Sequence, residues 1–107
     1  MARRVERGEV WLVDLGLAAK VRPCLILSIP ATGEDDRVLT TIVPHTTSVR
    51  GTKLEVSTSV RFLRSGAFDI QQIASIPTAK FIRRLGTLDE AMMKDIVACV
   101  KHYLALD

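Results

Sequence analysis

Short runs of strand-forming residues, separated by polar turns, make up the chain as far as residue 87. The first run alternates, with Val10 and Leu12 on one face and Trp11 and Val13 on the other, which is typical of a strand. The second run is almost continuously apolar and predicts a strand that is buried on both faces. The third is rich in β-branched residues, which favour strands. The predicted strands are residues 8–15, 22–29, 37–44, 53–57 and a segment within 68–77, while residues 80–86 are consistent with either a strand end or a turn.

The residues after position 87 have a helical period instead. Their apolar side chains recur three or four positions apart and form one face of a helix. Thr87, followed three residues later by Glu90, matches a capping box, and Asp89 and Glu90 suit the positive end of a helix dipole. The pattern therefore predicts one amphipathic helix over residues 88–105.

Several short strands followed by one helix predict a mainly β fold, either a small barrel or a curled antiparallel sheet, with the helix covering one side. The length of 107 residues indicates a single domain, residues 1–107. No apolar run approaches the ~20 residues of a membrane span, and no apolar segment follows the N-terminal arginines, so we expect a cytoplasmic protein. Cys24 and Cys99 belong to no Cys/His cluster, so we expect free thiols, no metal site and no cofactor.

The positive charge is concentrated in the middle of the chain. The net charge is only +3, but residues 50–84 contain seven basic and two acidic side chains. A local excess of this kind suits a polyanion such as RNA, or an acidic peptide. A solvated sheet face with scattered cations has the same composition, so charge alone leaves both interpretations open.

Three stretches carry a family pattern when they are read together. They are residues 7–15 (RGEVWLVDL) followed by 22–28 (RPCLILS), residues 43–56 (VPHTTSVRGTKLEV), and residues 66–76 (GAFDIQQIASI) followed by 84–88 (RLGTL). In this order and spacing, over nearly the whole chain, they resemble the MazF/PemK family of toxins from bacterial toxin–antitoxin pairs. The resemblance implies an SH3-like small barrel of the CcdB/PemK type that is usually a homodimer.

The resemblance also implies an activity, that of a metal-independent endoribonuclease (an mRNA interferase). Such an enzyme cuts single-stranded RNA at short sequence motifs and thereby inhibits translation and growth. The 2′-hydroxyl attacks the adjacent phosphate and leaves a 2′,3′-cyclic phosphate and a 5′-hydroxyl. The implied partner besides RNA is a cognate antitoxin, whose acidic, initially disordered tail occupies the RNA groove.

Two residues match the catalytic positions of the family. Arg22, just before Pro23, corresponds to the catalytic arginine, and a guanidinium is a planar, permanently charged group that stabilises the oxygens of an attacked phosphate. Thr47 corresponds to the family threonine, whose hydroxyl donates to phosphate without adding charge. Thr46 and Ser48 flank it as candidate RNA-binding residues. Without the family, a Thr-Thr pair is as readily explained by strand propensity and turn chemistry.

His45 is a departure from some relatives, which have an apolar residue or cysteine at this position. If the third strand continues, residues 43, 45 and 47 share a face, and His45 becomes a candidate base for the 2′-hydroxyl. A polar residue at a strand end is the alternative that we favour. Arg50 and Lys53 are candidate RNA-binding cations.

Gln72 matches a family glutamine that contacts RNA or braces a loop. Two other positions depart from the family. The arginine–aspartate pair of some relatives is absent, because Asp69 and Gln71 stand at its positions. The loop of residues 16–21 is shorter than in many members and has no carboxylate, so the roles of that loop cannot be transferred.

Two other classes of function are compatible with the same fold. A CcdB-like toxin poisons DNA gyrase without nuclease chemistry, and fold alone does not separate the two. That group relies on a C-terminal Trp-Gly-Ile, whereas this chain ends in HYLALD and retains Arg22 and Thr47. An inactive RNA-binding barrel is the third interpretation. Cleavage of a long single-stranded RNA by the purified protein distinguishes all three.

Overall fold

The strands form one open, antiparallel sheet. A computed structural model describes residues 4–16, 18, 20–30 and 37–106, so positions 17 and 19 of the short loop lie outside the described residues. Single 3-10 turns at Ile70–Gln72 and Thr78–Lys80 flank the sixth strand. The strands are β1 (Glu9–Asp14), β2 (Val21–Ile26), β3 (Leu39–Thr46), β4 (Glu55–Thr58), β5 (Gly66–Asp69), β6 (Ala74–Pro77) and β7 (Phe81–Thr87), and the helix is α1 (Glu90–Leu104). The predicted fold class, mainly β with one C-terminal helix, is confirmed.

The strand order is β4–β5–β3–β2–β1–β7, with β6 also paired to β3. Two strands pair with β3 one after the other: its first half pairs with β6, and its last two residues pair with β5. The two ends of the sheet approach each other where Phe62, in the β4–β5 connection, lies against Gly86 in β7. A Cβ on Gly86 would lie 2.5 Å from two atoms of the Phe62 ring. The sheet is therefore curled, and the β4–β5 connection spans the gap between its ends.

Apolar side chains are buried on both faces of the sheet. Val10 and Leu25 belong to the cluster that packs against α1, which contributes Ile96. Trp11 and Cys24, from the same two strands, belong to a second cluster on the opposite face. The strand register explains this division, because Val10 pairs with Leu25 and Trp11 with Cys24. The predicted alternation in β1 is confirmed, whereas β2 is buried on both faces only from Cys24 to Ile26, since Val21 and Arg22 are exposed.

The N-terminus of α1 differs from the prediction. The side chain of Asp89, and not that of Thr87, caps the helix and accepts a hydrogen bond from Met92 N at 2.8 Å. Thr87 is unavailable because it still belongs to β7, where it pairs with Glu9. Leu88 between them is buried in the core. The segment 80–86, which the sequence left open between strand and turn, lies almost entirely in a strand, β7 at Phe81–Thr87.

A buried carboxylate joins β1 to β7. Glu9 accepts hydrogen bonds from Trp11 Nε1 at 3.0 Å and from Arg84 Nη1 at 3.1 Å. Burial raises the pKa of Glu9, but the hydrogen bonds from Trp11 and Glu6 and the charge of Arg84 hold the pKa below its ordinary value. The ionised carboxylate therefore adds stability above the pKa of the unfolded chain, and this contribution is lost as the pH falls through the folded pKa.

Candidate active site

A cleft of about 570 Å³ opens where β3 ends. Five parts of the chain form it: β1, the start of β2, residues 45–48, the β4–β5 connection and β7. Its polar lining residues are Arg22, His45, Thr46, Thr47, Ser48 and Arg64. Its apolar lining residues are Leu12, Val21, Pro23, Phe62, Leu63 and Leu85. Among the residues that the structure describes, the lining contains two guanidiniums, three hydroxyls and no carboxylate, so the cleft is suited to an anion.

The hydroxyl groups lie at the last residue of β3 and on the bend that follows it. β3 ends at Thr46, and Thr46 Oγ1 accepts a hydrogen bond from Ser48 N at 3.0 Å, which fixes the turn of the chain. Thr47 and Ser48 on this bend are exposed. Their hydroxyls face solvent rather than the core, so they are free to donate to a bound phosphate.

Arg22 lies at the edge of the cleft, at the start of β2. It is exposed and pairs with Val13 of β1, so its side chain leaves the strand on the same face as Cys24. Burial raises the pKa of the Cys24 thiol to about 12, and the charge of Arg22 offsets this only in part. The thiol is therefore protonated at neutral pH. Cys24 and Cys99 are both free, as predicted.

His45 lies beneath the cleft and is only 4% exposed. Its Nε2 is 2.9 Å from Thr58 Oγ1, and its ring meets the edge of Phe68 with 5.2 Å between centroids. Burial lowers the pKa of His45, so the imidazole is neutral at neutral pH. Residues 43 and 45 share the helix side of the sheet, where Val43 pairs with Leu25, but β3 ends at Thr46, so the strand does not continue to residue 47.

Gly66 allows the close packing beneath His45. A Cβ at this position would collide with the carbonyl oxygen of Thr46 and lie 2.8 Å from the His45 ring. β5 can therefore approach β3 closely at this point. The cleft floor is a packed assembly in which the imidazole fills space and forms a hydrogen bond.

Three of the candidate RNA-binding residues lie outside the cleft lining. Arg50 faces Asp69, with Nη2 and Oδ2 3.9 Å apart. Lys53 is exposed in the loop before β4, and Gln72 is exposed in the 3-10 turn after β5. The structure brings Arg22 together with residues 45–48 but does not bring these three side chains to them. Their roles in RNA binding stay predictions.

The loop that carries Arg50 is held by Glu55. Its carboxylate accepts hydrogen bonds from Arg50 N at 3.1 Å and from Thr52 N at 3.0 Å. These backbone donors, Arg50 N first, hold the pKa of Glu55 below its ordinary value. Gly51 between them has a φ of +73°, a conformation that favours glycine. The chain therefore turns at Gly51 between the hydroxyl cluster and β4.

Sequence reasoning did not identify the wall of the cleft formed by residues 62–64. Arg64 is exposed there and Phe62 is half-buried. The only signal for Arg64 was the local excess of basic residues, which does not say which cation faces the site. Its position depends on the contact between Phe62 and Gly86, which are distant in sequence.

Two further features of the described residues bear on ligands and location. Within ranges 4–16, 20–30 and 37–106 and at position 18, no three His, Cys, Asp or Glu side chains form a group that could hold a metal ion. In the same part of the chain, no helix is long and apolar enough to cross a membrane.

Comparison with known proteins identifies the family. Residues 6–104 match the family described as PemK-like, MazF-like toxin of type II toxin–antitoxin system. The chain belongs to this family, so the resemblance predicted from the sequence is confirmed and the CcdB-like alternative is not favoured.

Solved structures support the same assignment of fold. An endoribonuclease in complex with its cognate antitoxin, from a mycobacterial species, is 24% identical to this chain, with a TM-score of 0.82 over 97% of this chain and 98% of that chain. The Mycobacterium tuberculosis toxin MazF-mt6 is 26% identical, with a TM-score of 0.75 over 92% and 98%. A MazE–MazF crystal structure from Deinococcus radiodurans is 17% identical, with a TM-score of 0.80 over 98% and 100%.

Proposed function

We propose that this chain is the toxin of a toxin–antitoxin pair and acts in the cytoplasm as a metal-independent endoribonuclease on single-stranded RNA. The observation that supports this most directly is the cleft. It combines Arg22 with the hydroxyls of Thr46, Thr47 and Ser48 in a lining without carboxylates. Family membership supports the same activity, because the mycobacterial structure similar to this chain is an endoribonuclease by name.

In the proposed reaction the 2′-hydroxyl of one nucleotide attacks the phosphate that follows it. The new bond forms between the 2′-oxygen and phosphorus, and the bond to the 5′-oxygen of the next nucleotide breaks. The 2′-hydroxyl loses its proton to water and the leaving 5′-oxygen takes one up from water, so the products are a 2′,3′-cyclic phosphate and a 5′-hydroxyl. Negative charge grows on the non-bridging oxygens, where the Arg22 guanidinium and the Thr47 hydroxyl stabilise it. No metal is needed to activate water, since the nucleophile belongs to the RNA.

His45 has a supporting role in this proposal. A general base must reach the proton that it removes, whereas the His45 ring is buried and its Nε2 is engaged by Thr58. Its neutral imidazole keeps Gly66 and the end of β3 in place beneath the hydroxyls. The sequence-based alternative, in which His45 is the base, is tested below by its pH dependence.

The experiment is cleavage of a long single-stranded RNA by the purified protein, with and without EDTA. We expect unchanged activity in EDTA and products with cyclic-phosphate and 5′-hydroxyl ends. Arg22→Ala should lower the rate about 10²–10³-fold, because one electrostatic donor to the transition state is lost. Arg37→Ala, another exposed arginine, is the matched control and should cleave normally. Products with 5′-phosphate ends, or full activity of Arg22→Ala, would contradict the mechanism.

We also propose that a cognate antitoxin and RNA compete for this cleft. Two of the similar structures are complexes with an antitoxin. A cleft with two guanidiniums also suits the carboxylates of an acidic tail. A disordered tail that folds on binding adds apolar burial to charge, so its affinity should depend less on salt than that of RNA. Simultaneous binding of both ligands in a titration would rule out a shared cleft.

A further inference from the structure

Two arginines face the cleft without an acidic partner. Arg22 and Arg64 both line it, and within the described part of the chain neither has a carboxylate oxygen within 4.0 Å. Arg84, by contrast, is neutralised by Glu9. The proposed mechanism uses only Arg22, so the charge of Arg64 is left without a function.

Close contacts on both sides fix the position of Arg64. Two residues before it, the Phe62 ring occupies the space that a side chain on Gly86 would take. Two residues after it, Gly66 lies directly against Thr46 and His45. The short segment between these anchors has little freedom to move its backbone. The closure of the sheet therefore places the backbone of Arg64 at the cleft, which its side chain lines.

The wall that carries Arg64 is apolar. Phe62, Leu63 and Leu85 line the cleft and are half-buried, so part of each remains exposed to a ligand. One side of the cleft, formed by Arg22 and the hydroxyls, offers hydrogen-bond donors. The opposite wall offers apolar surface and a second cation, Arg64. A nucleotide chain presents the same order of groups: a phosphate, an apolar base face and another phosphate.

We propose that Arg64 binds the phosphate next to the scissile one, with the intervening base against the wall of Phe62, Leu63 and Leu85. This inference rests on the proposed function and adds a second phosphate site to it. Arg64 holds the RNA in register but does not contact the oxygens that gain charge in the reaction. It therefore contributes to ground-state and transition-state binding equally, which affects KM rather than kcat.

The first test is steady-state kinetics on an RNA that contains the mapped cut site. Arg64→Ala should raise KM about tenfold or more, as expected for a lost charge-assisted hydrogen bond, and leave kcat within a few-fold. Arg64→Lys should restore much of the affinity. Arg61→Ala is the matched control, since Arg61 is exposed in the same segment but does not line the cleft. Thermal melting should be unchanged in all three variants, because these side chains are exposed.

The second test locates the phosphate. A methylphosphonate, which has no charge, replaces in turn each phosphate that flanks the cut site. One of the two replacements should weaken binding to the wild type but not to Arg64→Ala. If Arg64→Ala behaves like Arg61→Ala, or loses kcat at unchanged KM, the inference is wrong while cleavage by the wild type leaves the proposed function intact.

A binding test keeps the inference separate from catalysis. Affinity for poly(U) is measured at several salt concentrations, and Arg64→Ala should flatten the salt slope by about one unit, while Arg61→Ala should not. If the wild type does not cleave RNA but this difference is present, the phosphate site stands and the proposed function fails. Equal slopes for the two variants would overturn the phosphate site in either case.

Discussion

At the scale of single residues, the end of β3 decides which polar side chains of the cleft are exposed and which are buried. The hydroxyls of Thr47 and Ser48 are exposed because β3 stops at Thr46. The imidazole of His45, one position inside the strand, is buried by the same geometry. Two positions along the chain thus separate the exposed hydroxyl of Thr47, which can contact RNA, from the buried imidazole of His45, which supports the floor.

The buried imidazole leads to a pH prediction. The folded pKa of His45 is lowered by burial, so the unfolded chain takes up a proton first as the pH falls below about 6.5. Stability is then lost with decreasing pH until the folded pKa is reached. His45→Gln should remove this part of the pH dependence, at a cost of about 1 kcal/mol at pH 8. His102→Gln, at the exposed histidine of α1, should retain it. Urea unfolding at several pH values measures both variants.

The same variant decides the role of His45 in cleavage. If the ring is structural, His45→Gln should cleave RNA within about tenfold of the wild type and retain the acid limb of the pH–rate profile. Removal of a general base costs about 10²–10⁴-fold. A loss of that size together with a missing acid limb would show that His45 is the base and that the ring leaves Thr58 during the reaction.

At the scale of elements, local patterns predicted what depends on local periodicity. β1, β2, β3 and α1 follow from alternation, apolar runs and the helical period. The segment 68–77 predicted one strand but contains the end of β5 and all of β6, because Asp69 accepts a hydrogen bond from Gln71 N and turns the chain between them. A capping aspartate inside an apolar run is a weak signal, so the break was missed.

The candidate site shows the same limit. Arg22 and residues 45–48 could be predicted because each belongs to a short motif shared with the family. The wall of Phe62 and Arg64 could not, because it depends on contact between the β4–β5 connection and Gly86 of β7. A glycine at position 86 leaves room for the Phe62 ring. A single sequence, however, does not indicate which distant side chain fills that room.

At the scale of the whole molecule, the outer face of α1 is an apolar groove of about 850 Å³. Its centre is formed by Met93, Val97 and Ala98, and its two ends by Glu90 and Lys101. Eleven residues are close to three helical turns, so the two charged ends lie on one stripe about 16 Å apart. An antiparallel second copy, with its two-fold axis near position 95, would place Glu90 beside the partner's Lys101. The two ends of the groove are thus complementary in charge across a two-fold axis, while Lys94 adds a cation near the axis itself.

The family resemblance implies a homodimer, and the groove leads us to expect that its interface is formed by α1. Val97→Glu should convert the protein to a monomer in sedimentation at micromolar concentration, because the charge is buried at the centre of the interface. Val38→Glu, at an exposed valine outside α1, is the control and should remain dimeric. Glu90→Lys or Lys101→Glu alone should raise the dimer dissociation constant about tenfold, since two weak attractions become repulsions. The double reversal should restore it. A dimer unaffected by Val97→Glu would place the interface elsewhere, and a monomeric wild type would exclude it.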